Sequence, residues 1–152
     1  MKRFAFALQP VLDHRQRIED EKQLVVAVRK RALDDAEREL ARLNEEFRKH
    51  STMLREGHKQ LETRELQCIY AHLQFIDRCV VAQIRIVAER RVALDRARNE
   101  LLEASKEKKV VEKLKERRRE AHTLEEQRVE QKELDDGNAR RYGRIQVGGS
   151  TP

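Results

Sequence analysis

Tryptophan is absent from this 152-residue chain, aromatic residues make up only 4% of it, and it contains two cysteines, two prolines and five glycines. With so few large apolar side chains, a thick globular core is excluded. Pro10 and Pro152 lie close to the two ends, so the interior is almost free of helix breakers, and no sheet is indicated. No stretch approaches the ~20 apolar residues that cross a bilayer. Met1-Lys2-Arg3 begins like a secretory signal, but the apolar run Phe4 to Leu8 is cut short by Gln9, Pro10 and Asp13. Cys68 and Cys79 fall about three turns apart on one predicted helix, beyond the reach of a disulfide, and read as free thiols in a reducing compartment. The expectation is a cytoplasmic protein without membrane insertion.

What the chain has is charge, 41% of its residues with a formal net charge of +6, laid over a seven-residue repeat. Leu33, Leu40, Phe47, Leu54 and Leu61 recur at that step, with Ala36, Leu43, His50 and Gly57 between them. Alternating steps of three and four keep one narrow stripe of a helix facing a partner. The same chain supplies that partner: Leu66, Leu73, Val80, Val87, Leu94 and Leu101, accompanied by Ile69, Ile76, Ala97 and Ala104. The pattern predicts an all-α fold, a long antiparallel two-helix coiled-coil hairpin over residues 1–136. Helix one is expected over about 10–56, with Pro10 at its first position. A turn region follows at about 57–70, then helix two to about 136 and a disordered tail over 137–152, Gly137 ending the helical pattern.

Gly57 suits the left-handed residue just past a helix, and Thr63 can cap the next one with Glu65 in its first turn. A turn at Gly57 sets Leu54 opposite Leu66; a turn nearer Tyr70 sets Leu54 opposite Leu73. Upstream, the row Val11, Ile18 and Val25 is out of phase with Ala36 and Leu43, which predicts a stutter near Arg29 to Leu33. Beyond Leu101 the row weakens, with Lys108 next and Val111, Leu114, Ala121 and Leu124 on a shifted phase.

No HExxH motif, nucleophile elbow or glycine-rich phosphate loop is present, and a helix pair offers no concave water-excluding pocket, so neither an enzyme nor a cofactor is expected. Cys68, His72 and Cys79 can share a face, but three ligands on one helix cannot converge on an ion unless a partner helix supplies the rest, so no metal site is expected. The basic run from Lys106 to Arg119 carries interleaved glutamates and no aromatics for base stacking; it reads as a solvated face or a surface for an acidic protein rather than a nucleic-acid site. Phe75, Cys79, Ala82 and Ile86 form a second apolar stripe beside the seam. Either the segment around Leu61 to Tyr70 folds over it, or it docks another protein.

Three segments together resemble the flagellar FliJ family, the soluble coiled-coil component of the flagellar type III export apparatus. They are Phe4-Ala5-Phe6-Ala7-Leu8-Gln9-Pro10-Val11-Leu12-Asp13-His14-Arg15 with Glu19, Glu21 and Lys22; Gln74-Phe75-Ile76; and Arg128-Val129-Glu130-Gln131-Lys132-Glu133-Leu134-Asp135-Asp136. The resemblance implies a hairpin similar to the gamma-subunit stalk of rotary ATPases. It implies binding to the hexameric flagellar export ATPase through Arg15, Glu19, Arg128, Gln131, Lys132 and Asp135. It implies contact with the linker of the membrane export-gate protein through Phe75, Cys79, Ala82 and Ile86, although Cys79 and Ile86 depart from the family's usual stripe. Escort of export chaperones, and peripheral association with the inner membrane through the apparatus, follow from the same resemblance. The reading from another class is a generic structural coiled coil that dimerises or acts as a spacer.

Overall fold

The computed structural model describes residues 3–57 and 59–147. Two helices account for nearly all of them: α1, Gln9–Gly57, and α2, Thr63–Val147. They run antiparallel as an all-α hairpin.

Pairs across the hairpin share one register. Arg15 meets Glu107, Lys22 meets Glu100, Arg90 reaches the Ala32 carbonyl, and His50 meets His72. Each of these pairs is centred in the sequence on Leu61. Leu54 accordingly shares a recess with Leu66 near the turn, which selects the shorter of the two expected connections.

At the turn itself the chemistry differs from expectation. The Glu62 carbonyl accepts from the Leu66 N–H at 3.0 Å and the Glu65 carboxylate accepts from the Glu62 N–H at 3.2 Å, so Glu62, not Thr63, occupies the capping position. Gly57 is not left-handed, since no described glycine has positive φ. Its carbonyl accepts from both Gln60 and Leu61 at 2.9 Å, and a Cβ there would stand 2.6 Å from Leu61 Cδ1. Close approach, rather than backbone freedom, is what the missing side chain provides.

The segment Arg17–Ser105 forms one compact unit. Its core is Leu33, Ala36, Val87 and Leu94, with Val26 and Leu40 packed against it. Leu43, Leu73, Ile76, Ala97 and Ala104 are buried too, as the seven-residue rows predict. Burying one such Leu or Ile side chain contributes about 1.5–3 kcal/mol. The expected stutter is corrected here: Val25 is 40% exposed, whereas Val26 packs inward and continues the row of Leu33 and Leu40 without interruption. Glu19 and Lys22 hold the preceding positions of this same phase, accepting from Ser105 Oγ at 2.6 Å and donating to Glu100 at 2.9 Å. Polar side chains occupy the seam where the apolar row drifts off it.

Residues up to Gln16 and from Lys106 onward form the other unit. Phe6 is buried beneath Lys115 and Arg118, whose cations lie 6.0 and 5.9 Å from its ring centroid, and Phe4 meets His122 edge-on at 5.5 Å. The aromatic residues that begin the chain therefore dock on the basic run. Lys115 also donates to Gln9 Oε1 at 2.8 Å. Leu8 accepts the first α1 bond, from Leu12 at 3.0 Å, which puts Pro10 second rather than first in the helix. Lys108, Lys115 and His122 continue the α2 row half-buried, while Leu114 and Leu124 are exposed, so the phase does not shift after Leu101. Gly137 does not end α2, and the tail expected from 137 is helical as far as Val147; residues 148–152 lie outside the described residues. One glycine costs a helix interior about 1 kcal/mol, too little to break a run of Glu, Lys, Arg and Ala.

Candidate functional site

The second apolar stripe follows from the heptad. Leu73, Ile76, Val80 and Val87 face α1, so Phe75, Cys79, Ala82 and Ile86 are carried to the flank. Phe75, Cys79 and Ala82 line a groove of about 510 Å³ floored by Leu43 and Ile76. Phe75 is 57% and Ile86 37% exposed, Ile86 lying farther along the same face. The alternative in which the Leu61 to Tyr70 segment covers the stripe is corrected: from Thr63 that segment is the first part of α2 itself.

The opposite wall is polar and comes from α1. Arg42 bridges Glu39 at 2.8 Å and Glu46 at 3.0 Å. The hydrogen bond from Arg42 holds the Glu39 carboxyl below its ordinary value, and the same bond holds the guanidinium proton more tightly than usual. An apolar wall facing a polar one, where two carboxylates outnumber a single guanidinium, suits an amphipathic segment, its apolar side against Phe75 and its polar side along Arg42.

Glu46 also faces the His72 ring, Oε1 to Nε2 at 3.4 Å, while His72 meets His50 edge-on at 4.6 Å and stacks with Phe75 at 6.5 Å. Sequence reasoning grouped His72 with Cys68 and Cys79 on its own helix. The fold instead gives it Glu46 and His50 from α1; Cys68 is exposed near the turn. The signal that could have found this trio is the register centred on Leu61.

Of the six residues that the resemblance gives to the ATPase contact, Arg15, Arg128, Gln131, Lys132 and Asp135 belong to one unit and Glu19 to the other. Arg15 is ion-paired with Glu107, and Glu19 is bonded to Ser105. Arg128, Gln131, Lys132 and Asp135 lie about 30–40 Å farther along α2 than Glu107, at the helical rise of about 1.5 Å per residue. Arg128, Gln131 and Lys132 line one shallow recess with Glu125 and Val129. Every residue from 127 to 143 is exposed, and the partner of Arg128 there is Glu125, at 3.8 Å on its own helix.

Among the described residues no helix is long and apolar enough to cross a membrane. The family model for the flagellar FliJ protein matches residues 4–146. No curated protein sequence matches the chain. A solved structure described as a YscO homologue from Chlamydia trachomatis is 21% identical, with a TM-score of 0.50 over 97% of this chain and 100% of its own. At that identity the likeness is one of fold.

Proposed function

Because this chain belongs to the flagellar FliJ family, a structural component of the flagellar export apparatus, we propose that it binds the hexameric export ATPase and the linker of the membrane export-gate protein through separate surfaces. The observation that supports this reading most is the exposed α2 segment from 127 to 143. A helix held by propensity alone is marginal in water, and a segment of this length without a packed face is suited to a partner that covers it. Arg128, Gln131, Lys132 and Asp135 offer that partner both charges and amide groups, and Arg15 and Glu19 are assigned to the same contact. The groove of Phe75, Cys79 and Ala82, with Ile86, is assigned to the gate linker. Export chaperones are further candidate partners, and association with the inner membrane would be indirect, through the gate.

Two variants of the full chain test the reading. Gln131→Ala with Asp135→Ala is expected to weaken binding to the purified ATPase, and its stimulation of ATP hydrolysis, by about tenfold while leaving gate binding intact. Phe75→Ala is expected to do the reverse. Unchanged binding in both variants, or sedimentation of the chain as a stable dimer that ignores both partners, would leave the generic spacer as the better account.

A further inference from the structure

We propose that Glu46, His50 and His72 form a binding site for a divalent transition-metal ion of the zinc class that ties α1 to α2 beside the Phe75 groove. One donor atom from each of the three lies within 4.8 Å of the others, and all three side chains are half-buried. They belong to a single compact unit. Glu46 and His50 stand one turn apart on the same face of α1, and His72 arrives from α2 at the matching level.

The surrounding bonds orient the donors. His50 Nδ1 lies 2.9 Å from the Glu46 carbonyl oxygen, which can only accept, so Nδ1 is the donor and, in the neutral ring, Nε2 is the nitrogen with the lone pair. A ring nitrogen tied to a backbone carbonyl is the usual support of a metal-binding histidine. Glu46 Oε2 is taken by Arg42 at 3.0 Å, which fixes the carboxylate and leaves Oε1 toward His72. The charge of Arg42 is itself offset by Glu39 at 2.8 Å. His72 is steadied between the His50 and Phe75 rings.

Donors on a tetrahedral zinc ion at bond lengths of about 2.0–2.1 Å stand roughly 3.3 Å apart. Glu46 Oε1 and His72 Nε2 already stand 3.4 Å apart, and the His50 donor lies within 4.8 Å of both residues' donor atoms. Two imidazoles and one carboxylate leave a fourth position for water or a ligand from outside. Occupancy would hold His72 in place, and with it the ring against which Phe75 stacks.

The test uses the full chain with Zn2+ and Co2+ as probes, since Co2+ in a tetrahedral site absorbs visible light. Zn2+ at about a hundredfold over its Kd is expected to raise the Tm by roughly 5–10 °C. His50→Gln and His72→Gln, checked by far-UV circular dichroism to be folded without metal, are expected to abolish both the Tm shift and the Co2+ spectrum. Cys68→Ser with Cys79→Ser is expected to keep both. The site is overturned if the wild-type chain shows no response, if the histidine variants retain it, or if the cysteine variant loses it, because the ion is then absent or bound by thiols.

Discussion

Gln83 on α2 donates from Nε2 to the main-chain oxygen of Ala36 on α1 at 3.0 Å, and Ala36 keeps only 1% of its surface. One turn earlier on α1, Arg90 makes the same kind of bond to the Ala32 carbonyl at 2.7 Å. Both bonds reach α1 backbone at alanines, where no side chain extends beyond Cβ to stand in the way. Ala36→Leu is therefore expected to destabilise the chain by about 1–3 kcal/mol in urea unfolding, from overpacking against Leu33, Val87 and Leu94 and loss of the Gln83 bond. Ala27→Leu, on the exposed side of the same helix, should stay within about 0.5 kcal/mol of wild type.

Those alanines also mark where the sequence was informative. Leu33, Ala36 and Leu43 against Leu73, Ile76, Val87 and Leu94 were readable because apolar residues occupy every turn of the repeat. Toward the ends of the seam the repeat continues in Arg15, Glu19, Lys22 and Lys108, which bury their stems and pair their heads. A search that follows apolar residues steps off onto Val11 and Val25 and reports a stutter that the backbone does not have. The Phe75 stripe was visible as a pattern. The Glu46, His50 and His72 cluster was not, because it depends on a register that two possible turns left undecided by one heptad.

The Lys22–Glu100 pair makes stability depend on pH. The hydrogen bond from Lys22, followed by its charge, lowers the Glu100 pKa in the folded chain relative to the unfolded one. The unfolded state therefore binds more protons in the interval between the two values, and the contribution is present above the ordinary carboxylate pKa and lost as pH falls through the lowered one. Glu100→Gln is expected to flatten the acid side of the Tm-against-pH profile and leave its alkaline side unchanged. Because both side chains are partly exposed, with 36% and 48% of their surface accessible, the difference between Glu100→Gln and wild type should shrink in 1 M salt, where the screening length is about 3 Å. Equal acid sensitivity in the two proteins would remove Glu100 from the account.

Gly137 and Gly143 lie in the exposed end of α2, and a Cβ added at either would meet nothing within 4 Å. Neither has the positive φ that would strain an alanine. Gly137→Ala and Gly143→Ala should each stabilise the local helix by about 1 kcal/mol, largely by restricting the unfolded segment. Since every residue from 127 to 143 is exposed, that gain should appear as local protection rather than as a higher Tm: backbone amide exchange there should slow by about fivefold per substitution. The same substitutions bear on partner binding. If the ATPase closes on this segment as helix, ordering it beforehand removes part of the entropy cost of association, and the double variant should bind several-fold more tightly. If it binds more weakly although exchange has slowed, the bound segment is bent or unwound at one of these glycines, and their place in α2 is explained by the complex rather than by the free chain.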